Sequence, residues 1–110
     1  MKKAKKERLQ KAGWKVGSVQ DFLGLSDEEA AMVAMKLALA RGLKERRVAQ
    51  GLTQDELAKR LGSSQSRVAK METGDATVSI DLLIRSLLAL GATRQQLARI
   101  IGRSAEVPAA

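Results

Sequence analysis

Between Gly51 and Glu72 the chain reads Gly-Leu-Thr-Gln-Asp-Glu-Leu-Ala-Lys-Arg-Leu-Gly-Ser-Ser-Gln-Ser-Arg-Val-Ala-Lys-Met-Glu, and no other stretch constrains the fold as tightly. Thr53 has the chemistry of an N-cap, and Glu56 completes a capping box with it. Leu57, Ala58 and Leu61 share one face at helical spacing. Gly62 supplies the left-handed residue that ends this helix. Ser64 then caps a second helix, whose apolar positions are Val68 and Met71, while Gln65, Ser66, Arg67 and Lys70 occupy its other face. The pattern predicts two short helices joined by a tight turn. The outward residues are short or flexible donors with little acidic competition, a set suited to phosphates and base edges.

Composition narrows what such a scaffold can do. Apolar residues make up 45% of the 110-residue chain, yet Trp14 and Phe22 are its only aromatics, so packed helices are expected rather than a sheet. Cysteine and histidine are both absent, which leaves no disulfide, no thiolate metal site and no imidazole base or zinc ligand. The clustered carboxylates, Asp27-Glu28-Glu29 and Asp55-Glu56, stand at predicted helix starts, where the helix dipole accounts for them. No catalytic residue, cofactor or metal site is therefore expected. No apolar run approaches the roughly 18 residues of a spanning helix. The basic start is followed by no apolar h-region, so no signal peptide is read and a cytoplasmic, nucleoid-associated protein is expected.

The formal charge of +8 is unevenly spread. Residues 1–15 carry seven cations against Glu7 alone, whereas residues 26–102 carry twelve basic and nine acidic groups. The polycation is mostly a tail, which suits either an anionic polymer as partner or solubility alone. Its apolar content, Ala4, Leu9 and Ala12, is too thin to anchor it in lipid, so no membrane partner is expected.

Residues 1–25 read as a basic, irregular N-terminal extension, residues 26–102 as a helical domain with its motif at 53–72, and residues 103–110 as a frayed tail. In the extension, residues 13–25 hold three glycines and both aromatics. Val16, Val19, Phe22, Leu23 and Leu25 are expected to pack back on a helix, with a short strand at 15–19 as an option. Ser26 and Glu29 form a second capping box, opening a helix from 27 to about 50. Met32, Met35, Leu39 and Leu43 step by three and four and predict one buried stripe. Gly42, within this helix, marks either a close helix contact or a bend. Ser79 caps the next helix, with Ile80, Leu83, Ile84, Leu87, Leu88 and Leu90 as its apolar face and Gly91 as its stop. Thr93 caps a last helix with Leu97, Ile100 and Ile101 inward, ended by Gly102.

The string Gly-Leu-Thr-Gln, three residues, Leu-Ala, three residues, Gly, then Ser-Gln, ending Lys-Met-Glu-Thr-Gly, resembles the Cro/repressor-like (XRE-type) helix-turn-helix family over about residues 36–91. The resemblance implies an all-α, five-helix lambda-repressor-like DNA-binding domain, here with an N-terminal basic extension. By position, Gln54 resembles the residue at the start of the first motif helix that touches phosphate and sometimes base. Gln65, Ser66 and Lys70 resemble the base-reading face. Ser64 and Arg67 resemble backbone contacts, with a guanine edge as an alternative for Arg67. The turn position after Gly62, usually apolar in the family, is Ser63 here and offers one more phosphate donor. The family also pairs an arginine four residues before the Gly of Gly-Leu-Thr with the glutamate ending the recognition helix. These positions are Arg47 and Glu72, for which the resemblance implies a partly buried, structural ion pair.

The resemblance implies double-stranded DNA as partner and a sequence-specific regulator, a repressor that reads a palindromic operator as a homodimer. Two recognition helices one turn apart, roughly 34 Å, would meet two half-sites. Leu97, Ile100 and Ile101 either form the dimer surface or close the monomer core. The segment Asp21-Phe22-Leu23-Gly24-Leu25-Ser26 and the string from Ser64 to Glu72 are also similar to antitoxins of the HigA type, which neutralise a ribosome-dependent mRNA-cleaving toxin (HigB type) and repress their own operon. Residues 13–35 would then carry the toxin contacts, or else cover the domain's own core.

Overall fold

The computed structural model describes residues 23–104, and these form five α-helices with no strand among them: α1 (Asp27–Ala49), α2 (Gln54–Leu61), α3 (Gln65–Thr73), α4 (Ile80–Ala89) and α5 (Arg94–Ser104). The option of a strand at 15–19, and the packing expected of Val16, Val19 and Phe22, lie outside the described residues. All five helices begin on a polar cap that the sequence specifies locally. The Ser26 hydroxyl accepts from Glu29 N at 3.1 Å while Ser26 N donates to Glu29 Oε1 at 3.0 Å. Thr53 and Glu56 repeat the arrangement at 3.1 and 3.0 Å. Thr93 does so with Gln96, at 3.1 and 2.9 Å. Ser64 and Ser79 each accept one backbone N–H, from Arg67 and Leu82. These reciprocal bonds satisfy donors that a helix start otherwise leaves orphaned.

Gly62 ends α2 at φ 63° and Gly74 ends α3 at φ 69°, a left-handed backbone that side chains rarely adopt. Ser63 N then folds back onto Ala58 O at 2.8 Å, and Asp75 N onto Lys70 O at 3.0 Å. The two glycines thus bracket the turn before α3 and the loop after it, and set where α3 begins and ends.

The core lies around the C-terminal half of α1, which packs against α3, α4 and α5, while α2 packs on α3. Leu39, Leu43, Leu57, Val68, Met71, Val78, Leu83 and Leu87 are its fully enclosed apolar side chains. Leu97 is buried too, with Ile100 and Ile101 half-buried against the same cluster. Their inward sides add to the monomer core. At Gly42 a Cβ would lie 3.0 Å from Ile100 Cδ1, so this glycine marks a close approach of α1 and α5.

Four expectations need correction. The stripe on α1 is buried only from Leu39 onward: Met35 is half-buried and Met32 is 52% exposed. The first three turns of α1 extend past the elements that cover its later turns. Leu23 likewise stands exposed rather than packed back. On α4, Leu88 is 47% exposed, because the core-facing arc is filled by Leu83, Ser86, Leu87 and Leu90. Finally, Gly102 does not end α5, which continues to Ser104; its backbone stays out of the left-handed region that makes glycine a stop signal.

Candidate nucleic-acid interface

The α2–turn–α3 unit is amphipathic in a way that fixes which residues are free to meet a partner. Val68, Met71 and Glu72 point into the protein, so Gln65, Ser66, Arg67 and Lys70 stand exposed on the opposite face of α3. Ser64 is exposed at the helix start, and its Oγ lies 3.2 Å from Ser66 Oγ. Ser63 and Gln54 are half-buried. The first turns of α1, α2 and α4 carry carboxylates, whereas those of α3 and α5 carry none. The positive end of the α3 dipole is thus left without an intramolecular anion, the condition that favours phosphate there.

Behind this face runs a chain of polar contacts. Arg47 Nε donates to Glu72 Oε2 at 2.5 Å, and Arg47 Nη2 donates to Glu72 Oε1 at 3.0 Å. Only 12% of the arginine side chain and 3% of the glutamate side chain reach solvent. The remaining arginine nitrogen, Nη1, donates to Leu52 O at 2.7 Å and so ties down the segment that leads into α2. The hydrogen bond to Glu72 outweighs burial and raises the Arg47 guanidinium above its ordinary value, with the glutamate's charge adding to it. Glu72 Oε1 also accepts from Gln54 Nε2 at 3.1 Å, and Gln54 Oε1 accepts from Gln65 Nε2 at 2.6 Å. One continuous relay therefore links the buried ion pair to the exposed first residue of α3.

The structure thus brings Arg47, Gln54, Gln65 and Glu72 together, and it sets Ser63, Ser64, Ser66, Arg67 and Lys70 along the turn and the outer face of α3. The contact between Gln54 and Gln65 was missed by sequence reasoning. Its one available signal was positional: each glutamine is the first residue of its helix, directly after the cap. Beyond α3, Thr77 Oγ1 and N both donate to Asp75 Oδ1, at 2.6 and 2.9 Å, and hold its carboxyl below the usual aspartate range. This Asx turn orders the loop that follows α3.

Nothing in this arrangement resembles a reaction centre. Among the described residues no three acidic, cysteine or histidine side chains gather as metal ligands, and no helix is long and apolar enough to cross a membrane. What the unit offers is a firmly seated helix with donors on its outer face. Comparison with known proteins gives the same reading: a helix-turn-helix family model matches residues 43–97, half of the chain, and includes every residue of this unit. No curated protein and no solved structure matches the chain. The chain belongs to the XRE-type helix-turn-helix family, and with it to the DNA-binding transcription regulators.

Proposed function

We propose that the protein is a repressor that binds a palindromic operator as a homodimer, with α3 in the major groove. The observation that carries this is the exposed row Gln65, Ser66, Arg67 and Lys70 on a helix whose inner face is locked by Val68, Met71 and Glu72. A glutamine reads adenine through two hydrogen bonds, and arginine or lysine reads guanine, each pairing worth about 1–3 kcal/mol of discrimination. In this reading Gln65, Ser66 and Lys70 touch base edges. Gln54, Ser63 and Ser64 hold phosphates, and Arg67 takes a phosphate or a guanine. One recognition helix spans only a few base pairs, so a second copy supplies the other half-site. The basic residues before Ser26 add phosphate contacts and a steep salt dependence. The protein acts in the cytoplasm, at the nucleoid.

Selection of duplexes from a random pool, followed by binding of the selected site to Q65A/K70A, tests the assignment. The double variant is expected to keep its helicity and lose its preference for the selected site. An unchanged preference removes α3 from the role of reader.

A second reading is favoured by one observation: Met32, Val33 and Leu37 are exposed on the first three turns of α1. An apolar helix face of this kind suits a protein partner. The protein would then be an antitoxin that sequesters an mRNA-cleaving toxin of the HigB type and represses the shared operon. Co-expression with the product of the neighbouring gene tests it. Co-elution that is lost in M32S/V33S/L37S, with operator binding intact, supports sequestration. Absence of any complex leaves the plain repressor.

A further inference from the structure

Arg46 and Arg47 are neighbours on α1 but diverge by about 100° around its axis. Arg47 turns to α3, whereas Arg46 turns to α5, where its Nη2 donates to Gln96 Oε1 at 2.7 Å. On that side α1 and α5 enclose an open cleft of about 260 Å³ over Gly42, with Arg46, Arg99 and Arg103 along its walls. Arg41 lines the hollow that continues from it. A single carboxylate, Glu45, faces the four guanidinium groups.

These arginines lack the ion pairs that Arg47, Lys59 and Arg85 make. Among the described residues the ion pairs join Arg47 to Glu72, Lys59 to Asp55 and Arg85 to Asp81, and none of the four cleft arginines takes part. The dipole accounts for Arg46 and Arg103, which lie in the last turns of their helices. It does not account for Arg41 or Arg99. Arg99 and Arg103 moreover sit one turn apart on α5, a like-charge spacing that destabilises a helix unless an anion lies between them. Arg46 Nε is buried without any hydrogen-bond partner, a costly state for a charged donor. Gln96 holds the same side chain in place and is itself fixed by the cap, its Oε1 accepting Thr93 N at 2.9 Å.

We propose that this cleft is a second anion site, separate from the reading face, which takes a phosphate-bearing ligand between the Arg46 and Arg99/Arg103 walls. Forked guanidinium donors match the oxygens of a phosphate in pairs. The cleft falls just below the roughly 300–1,000 Å³ of pockets for drug-sized ligands, a size that suits a small phosphate compound. Two sources share this chemistry: a free phosphate compound, or a backbone phosphate of a nucleic acid lying against α5.

Calorimetric titration with pyrophosphate, at an ionic strength held constant with sodium chloride, tests the site in the full chain. Binding to the native protein is expected to weaken at least tenfold in R99S/R103S and to tighten in E45Q. The melting temperature of ligand-free R99S/R103S is expected to stay close to the native value, the removed repulsion offsetting the lost dipole contact and helix propensity. Undetectable pyrophosphate binding, or equal affinity in the native protein and R99S/R103S, overturns the proposal. Binding of a random-sequence duplex separates the sources: a tenfold loss in R99S/R103S assigns the site to backbone phosphate, and an unchanged affinity assigns it to a free phosphate compound. Q65A/K70A keeps its pyrophosphate affinity in either case, so the outcome is independent of the role given to α3.

Discussion

Arg47 and Glu72, 25 residues apart in sequence, form a two-pronged ion pair, and its carboxylate is also the anchor of Gln54. Removing one partner leaves the other charge buried and alone, which costs far more than the net worth of the pair. Glu72→Ala and Arg47→Ala are each expected to lose about 3 kcal/mol of stability. The double change to methionine is expected to lose less than either single one. Urea unfolding monitored by circular dichroism measures all three.

Gln54 stands between the ion pair and α3, with hydrogen bonds of 2.6 and 3.1 Å on its two sides. Gln54→Leu keeps the volume but breaks both. A stability loss of about 1 kcal/mol is expected. Operator affinity is expected to fall further than that, because Gln65 is freed from its fixed rotamer and the DNA contact proposed for Gln54 is removed. Fluorescence anisotropy on the selected duplex, set against the unfolding curve, gives the comparison. Equal losses would reduce Gln54 to a structural residue.

The two glycines that bracket α3 should not respond alike. Alanine at Gly62 meets nothing within 4 Å, so its cost is the left-handed backbone alone, about 1–2 kcal/mol. Alanine at Gly74 places its Cβ 3.0 Å from Leu37 Cδ2 and 3.7 Å from Ala40 Cβ, and adds a steric cost to the same backbone strain. Gly74→Ala is therefore expected to melt lower than Gly62→Ala. Thermal scans on the two variants rank them.

Three carboxyls titrate below their usual range. Glu29 and Glu56 are lowered by the backbone and side-chain bonds of their capping boxes, and Asp75 by its bonds to Thr77. A carboxyl whose folded value is depressed stabilises the protein above its unfolded value, near 4, and loses that contribution as the pH falls through the folded value. The melting temperature is expected to be flat from pH 7 to about 5 and to drop below about 4. In E29Q/E56Q, where the amide still caps, the drop is expected to be shallower.

The cations of residues 2–11 supply a separate prediction. Deleting them is expected to weaken binding to all duplexes and to flatten the plot of log affinity against log salt by about 0.9 for each phosphate they had neutralised. A slope that does not change makes the segment a bystander.

The parts of the fold that could be read from the sequence are those whose physics is local. All five N-caps involve residues three apart, so Ser26, Thr53, Ser64, Ser79 and Thr93 announce themselves. The inward faces of α2 and α3 follow from spacing alone. Met32, Leu23 and Leu88 did not, because periodicity tells which residues share a face and not whether another element reaches it. The bond between Gln54 and Gln65, 11 residues apart, depends on how two helices are set against each other, and no spacing rule encodes that. Arg46 and Gln96, 50 apart, lie further still from anything a local pattern can carry.

The uneven coverage of α1 divides its mutational tolerance. From Leu39 onward the inner face of the helix, Leu39, Ala40, Gly42 and Leu43, is mortared into the interior, and a change there disturbs the platform beneath α3. Over the turns from Asp27 to Val33 a change of side chain displaces little else. That overhang can be rewritten for one associate or another at small thermodynamic expense, while the packed domain behind it stays intact.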